Sequence, residues 1–116
     1  MWDVEYTEEF GEWWRLLEES EQDAVAAVVG LLERLGPRLP FPYSSRVNSS
    51  RHTSMRELRI QHRGGPYRVL YAFDSRRTAL LLVGGCKVGD DRWYERMVPR
   101  ADRILTAHLE DLDAED

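Results

Sequence analysis

The sequence predicts an α+β fold, a sheet packed against helices in the order β-α-α-β-β-β-α. Three observations predict it. Apolar residues recur at helical spacing through the first 35 positions, three strand-like segments follow in close succession between residues 55 and 85, and an amphipathic stretch closes the chain. Helices followed by a strand meander is an α+β layout, and 116 residues supply one core and one domain, 1–116.

Each element has a local reason. "WDVEY" alternates Trp2, Val4 and Tyr6 against Asp3 and Glu5, which predicts a short strand with one buried face. Thr7 is placed to cap the following helix, with Glu8 and Glu9 at its positive end. Phe10, Trp13, Trp14 and Leu17 form its stripe. Ser20 with Asp23 resembles a capping box opening a second helix, whose stripe is Ala24, Val25, Val28, Val29, Leu32 and Leu35. Gly36-Pro37 ends it, so the two helices are expected to form a hairpin. Residues 36–54 read as a loop, long enough to imply function or irregular packing.

Three strands are expected next. "MRELRIQ" puts Leu58 and Ile60 on one face and Glu57, Arg59 and Gln61 on the other; "HRGGP" turns the chain into "YRVLYAF". After "DSRR", "TALLLVGG" is apolar on both faces, which requires cover on both sides. "DDRWYERM" reads as a short helix, and Pro99 fits the first turn of a last one carrying Ile104, Leu105, His108, Leu109 and Leu112. The acidic tail, residues 110–116, is expected to fray.

Composition removes several classes. The longest apolar run, "ALLLV", is too short to span a bilayer, and "MWDVEYTEEF" lacks the basic, greasy pattern of a signal peptide. A lone Cys86 permits no internal disulfide and fits a reducing cytoplasm. His52, His62 and His108 have no metal-ligand spacing with one another or with Cys86, so no metal and no cofactor are expected. Gly84-Gly85 lacks the rest of any phosphate-loop fingerprint, and no serine sits in a nucleophile elbow.

The net charge of −5 conceals a division. Residues 1–23 hold nine acids against Arg15, residues 38–103 hold fourteen basic residues against six acids, and residues 110–116 add five acids. Recognition depends on local field rather than the total, although a solvated acidic helix beside an unrelated basic surface would give the same counts. Within the basic segment, Arg56, Arg59, Arg63 and Arg68 lie on two strands joined by a turn. Lys87 leaves the third strand, and Tyr94 follows with Arg92 and Arg96. Arginine matches phosphate oxygens bidentately, and Tyr67, Tyr71, Trp93 and Tyr94 offer faces for stacking bases. Cleaving RNA without metal requires an aligned 2′-hydroxyl, stabilised phosphoryl charge and a route for protons. These residue types can supply all three, or can simply be solvated strand faces.

"SSRHTSMRELRI", "PYRVLYAFD" and "LLLVGGCKVGDDRWYERMVPRAD" resemble, in order and spacing, the phage-derived HigB-like branch of the RelE/ParE toxin superfamily, over about residues 49–103. The resemblance implies an antiparallel sheet packed against an N-terminal two-helix hairpin and a C-terminal helix. It implies a cytoplasmic toxin of a type II toxin–antitoxin system, an endonuclease that cuts mRNA on the ribosome. The implied partners are a helix-turn-helix antitoxin (HigA-like), the ribosome and mRNA, with DNA reached only through the antitoxin complex and no membrane. By position, the charge-stabilising arginine falls on Arg68 and a basic residue of the preceding strand on Arg59. A basic residue after the last strand falls on Lys87, and a tyrosine for proton transfer or stacking falls on Tyr94. Arg56, Arg63, Arg92 and Arg96 would bind RNA around them, and Glu57 could orient one arginine. Cys86 stands where that branch is expected to carry an acid, and Gln61 where RelE would have a second lysine. Inhibition of DNA gyrase in the ParE manner, or nucleic-acid or antitoxin binding without catalysis, would use the same frame.

Overall fold

The structure is a computed structural model, and it describes residues 1–115. The chain forms β1 (Val4–Tyr6), α1 (Glu8–Leu16), α2 (Glu19–Leu35), a single 3-10 turn (Gly36–Arg38), β2 (Ser44–Arg46), β3 (Arg56–His62), β4 (Gly65–Phe73), β5 (Ala79–Cys86) and α3 (Trp93–Ala114). One five-stranded sheet has the order β1-β5-β4-β3-β2. The expected order therefore holds, with one strand added inside the loop. β2 is only "SSR", too short to display alternation, and it exists because it pairs with β3.

One pairing departs from the antiparallel expectation: β1 runs parallel to β5. The helical hairpin carries the chain from β1 across the sheet to its opposite edge. Four antiparallel strands then return it, so that β5 arrives beside β1 pointing the same way. A parallel pair needs such a long crossover.

Thr7 caps α1 as expected, its hydroxyl accepting from the Phe10 N–H at 3.0 Å. The second cap lies earlier than Ser20: the Glu18 N–H donates to Glu21 Oε1 at 2.8 Å, and Gln22 Nε2 donates to the Trp14 carbonyl at 2.9 Å. That last bond reaches back across the joint between the helices, which closes at Leu17 and Glu18. At the other end, one helix replaces the expected two. Pro99 sits inside α3, where it removes one N–H, yet Trp93 and Val98 on one side and Ala101 and Leu105 on the other are all buried in one core. Tertiary packing of that continuous face outweighs the proline. The helix also runs through most of the acidic tail, to Ala114; Asp116 lies outside the described residues.

The sheet divides two cores. Phe10, Val25, Leu32, Leu58, Ile60, Val69 and Leu81 pack between it and the hairpin, while Met55, Leu70, Leu82, Val83, Val98 and Leu105 pack under α3. Fully burying each such side chain is worth roughly 1.5–3 kcal/mol. β5 accordingly meets apolar cover on both faces. It also carries a bulge: Leu70 pairs with Val83 and Tyr71 with Leu81, leaving Leu82 unpaired. The extra residue resets the alternation, so that Gly84 faces the hairpin and Gly85 faces α3.

Candidate RNA-cleaving site

Those two glycines set where α3 begins. A Cβ on Gly84 would stand 2.3 Å from the Trp13 ring, and one on Gly85 would stand 2.4 Å from Trp93 Nε1. Each bare backbone position lets one indole lie directly on the sheet, Trp13 on one face and Trp93 on the other. Gly85 is paired with Arg68, so seating Trp93 there brings the next residue, Tyr94, over the polar end of β3 and β4.

At that end the side chains of Glu57, Arg59 and Arg68 share a face, with Arg59 and Arg68 directly opposite each other. Glu57 is the hub. Its Oε1 accepts from the Tyr94 hydroxyl at 2.5 Å and lies 3.8 Å from Arg68 Nε. Its Oε2 accepts from Ser45 Oγ at 2.7 Å and from Arg59 Nη1 at 3.2 Å. Lys87 Nζ lies 3.4 Å from the Tyr94 hydroxyl, to which it donates, and 4.6 Å from the centre of that ring. The four residues expected to do the chemistry are therefore brought together.

Their environments differ. Arg68 is only 6% exposed; Nη1 donates to the Tyr67 carbonyl at 2.9 Å, and Nε has no hydrogen-bond acceptor among the described residues. Arg59 is half-buried and lies 5.1 Å from the ring centre of Phe41, which is exposed. Arg59 and Arg68 also line a groove of about 440 Å³ with Pro42, Tyr43, Ala24 and Val28. Burial, then the neighbouring Arg68, push the Lys87 ammonium below its usual range; Glu57 opposes them. Burial, then the hydrogen bond to Glu57, push the Tyr94 phenol up. The patch is a cationic pocket of three positive groups around one carboxylate, able to hold a phosphodiester with a lysine of lowered proton affinity beside it.

The remaining arginines stand apart. Arg56 turns to the hairpin face, where its Nε donates to Ser44 Oγ at 3.0 Å. Arg63 is exposed in the β3–β4 turn, Arg92 is exposed just before α3, and Arg96 is exposed and paired with Asp90. Of the aromatics expected to stack on bases, Tyr67 and Tyr71 lie in the hairpin core and Trp93 lies buried under α3. Phe41, at 68% exposure beside Arg59, offers the open ring instead. Nothing in the order of residues 36–54 points to that, because Phe41 reaches the patch only through the path of the loop.

Ser50-Arg51-His52 and Ala101-Asp102, which lie in two of the stretches that carry the resemblance, form halves of one structural lock. Asp102, buried on α3, accepts from Ser50 Oγ at 2.5 Å and from the Arg51 N–H at 3.1 Å. His52 Nε2 shares a hydrogen bond with Thr106 Oγ1 at 2.8 Å. Both motifs pin the loop that enters β3, and neither touches the cationic patch. Among the described residues no cluster of His, Cys, Asp and Glu could hold a metal ion.

A family model described as phage derived protein Gp49-like matches residues 12–106. The chain belongs to this family. It is 45% identical over 86 residues to a candidate toxin of Mycobacterium tuberculosis, HigB3, covering 71% of this chain and 74% of that protein. It is 36% identical over 104 residues to a second from the same organism, HigB2, covering 88% of this chain; the chain spans about half of that relative's length, 52%. Among solved structures, the E. coli toxin RelE, as a double arginine-to-alanine mutant in the free state, aligns with a TM-score of 0.57 at 13% identity. That alignment covers 83% of this chain and 94% of RelE. The intact E. coli RelBE toxin–antitoxin complex aligns with a TM-score of 0.50 at 14% identity, over 73% of this chain and 95% of the matched one. At those identities the likeness establishes a RelE-like fold. The family member described here places its cations at the β3–β4–α3 junction.

Proposed function

We propose that this Gp49-like chain is the toxin of a type II toxin–antitoxin pair and stops translation by metal-independent cleavage of mRNA on the ribosome. The observation that carries the reading is the convergence of Arg59, Arg68 and Lys87 on one patch, with Arg68 almost wholly buried. A buried, incompletely bonded guanidinium is costly in a structural role, whereas phosphate oxygens would complete its hydrogen bonds. The HigB names of its relatives and the RelE-like fold support the same reading.

Arg68 and Arg59 would grip the scissile phosphate and stabilise charge as the 2′-oxygen attacks phosphorus and the 5′-oxygen leaves. Lys87 has the lowered proton affinity that proton transfer near neutral pH favours. Phe41 would stack on a base beside the phosphate. The partners that follow are a helix-turn-helix antitoxin, the ribosome and translated mRNA, all in the cytoplasm, with promoter DNA met only through the antitoxin complex. The solved RelBE complex supports the antitoxin as a partner.

The test is brief expression without the antitoxin, followed by mapping of RNA 5′ ends. New ends inside translated messages are expected. Arg68→Ala, purified and folded, should remove them, with at least about a hundredfold loss of cutting. Damage to DNA without RNA ends would replace this reading with gyrase inhibition, and undiminished cutting by Arg68→Ala would remove Arg68 from the site.

A further inference from the structure

The carboxylate at the centre of the patch has a task of its own. Glu57 is 5% exposed, and both of its oxygens are occupied: Oε1 by the Tyr94 hydroxyl and the approach of Arg68, Oε2 by Ser45 and Arg59. Both oxygens are thus engaged within the protein rather than held ready for a proton from a substrate. The Tyr94 proton is likewise committed, since the hydroxyl donates to Glu57 while accepting from Lys87. The side chains therefore form a chain from Lys87 through Tyr94 and Glu57 to Arg59, with Arg68 alongside.

We propose that Glu57 is the positioning residue of this site, fixing Arg59 and Tyr94 directly and Lys87 through Tyr94, so that the cations converge on one phosphate. The proposal rests on the reading of the patch as a phosphodiester site, and it assigns Glu57 no contact with substrate. It also narrows Tyr94 from a proton carrier to the link that transmits the carboxylate's hold to Lys87.

The arrangement explains why a buried anion is tolerated where an anionic substrate must bind. Without it, Arg59, Arg68 and Lys87 would repel one another across a space of low dielectric, and each would swing toward solvent. With it, the patch still carries a positive surplus. The groups around Lys87 are Tyr94 from α3, Arg68 from β4, and Glu57 and Arg59 from β3; Asp90, in the loop between β5 and α3, is engaged by Arg96. Glu57 is the one neighbour among these charges that favours the protonated amine. Removing its charge must therefore lower the pH at which Lys87 loses its proton. That sign is the same whether Lys87 serves the reaction as an acid or as a base.

The experiment uses the full chain as wild type, Glu57→Gln and Glu57→Asp, with near-ultraviolet circular dichroism confirming that each is folded. Lys87 is titrated by NMR through its side-chain carbon beside the amine, and cutting of a message on translating ribosomes is measured against pH. Glu57→Gln keeps the shape and loses the charge. The Lys87 midpoint and the matching limb of the cleavage profile should both move to lower pH, with about a hundredfold loss of rate as the cations lose their alignment. Glu57→Asp keeps the charge but is one methylene short. It should return the Lys87 midpoint toward wild type while leaving the rate reduced, because it cannot reach Tyr94 and Ser45 together. A folded Glu57→Gln whose Lys87 titrates as in wild type overturns the proposal. A wild type that cuts no message, with the Lys87 shift still present in Glu57→Gln, sinks the nuclease reading alone; the carboxylate then positions the same cations for anion binding.

Discussion

Replacing Gly85 with alanine tests how the fold delivers Tyr94 to the site. The new Cβ would stand 2.4 Å from Trp93 Nε1, 3.0 Å from Cε2 and 3.1 Å from Cζ2. Ordinary contact begins near ~3.4 Å, so the indole must retreat by about 1 Å. Trp93 is 3% exposed and packed in the core under α3, so the first turn of α3 is expected to lift with it. Overpacking of this kind costs about 1–3 kcal/mol. The next residue is Tyr94, whose 2.5 Å bond to Glu57 would open, and misplacement by about 1 Å costs roughly a hundredfold in rate. Gly84→Ala meets Trp13 at 2.3 Å on the opposite face, so it should cost similar stability and leave the patch intact. Gly30→Ala, with nothing within 4 Å in the middle of α2, should stabilise the protein by about 0.5–1 kcal/mol. Urea unfolding and message cleavage by the folded fraction separate the three. Equal loss of cleavage in Gly84→Ala and Gly85→Ala would refute the reasoning, because it would make the effect one of stability rather than of the placement of Tyr94.

Two further outcomes follow from the buried carboxylates away from the site. Burial alone would raise the Asp74 pKa, but hydrogen bonds from Arg76 and His108 outweigh it and hold the carboxyl at about 2, below its ordinary 3.8. Its contribution, about 2 kcal/mol, is fully present above pH ~4 and is lost as pH falls through about 2. Asp74→Asn should flatten the pH dependence of the urea midpoint over that window, and an unchanged slope would refute the assignment. Asp102→Ala strips the acceptor from Ser50 Oγ and the Arg51 N–H. It should cost about 1–3 kcal/mol and speed hydrogen exchange at Arg51, without moving the cations at the patch.

The legible parts of this protein were those with local causes. Alternation revealed β1 and β3, the turn after β3 marked the start of β4, helical stripes revealed the hairpin, and Thr7 marked the start of α1, because each signal is written within a few residues. β2 and the unbroken α3 were not legible, since the first exists only through its partner strand and the second survives Pro99 only through a core formed with distant strands. The site divides in the same way. Arg59 and Arg68 share a patch because of a pairing register that a tight turn fixes, and that can be anticipated. The central place of Glu57 could have been suspected from its position two residues before Arg59 on a polar strand face. That both its oxygens would be closed by Ser45 and Tyr94, from elements 12 and 37 residues away in sequence, could not.

The division of charge along the chain acquires a physical meaning once its halves are placed on the sheet. Glu8, Glu12, Glu19 and Asp23 are exposed on the hairpin, which covers one face; Glu57, Tyr94 and Lys87 gather at the α3 side, and Arg59 and Arg68 reach from there to the groove along α2. Exposed charges farther apart than the Debye length of about 8 Å at physiological salt are largely screened, whereas half-buried neighbours are not. The charges that act on Lys87 accordingly come from Arg68, Glu57 and Arg59, and the hairpin's carboxylates are not among them. Glu21 of the hairpin accepts from the Tyr67 hydroxyl at 2.5 Å, on the hairpin side of β4. A polyanion approaching the β3–β4–α3 junction therefore meets the local positive field, and a net charge of −5 does not oppose binding there.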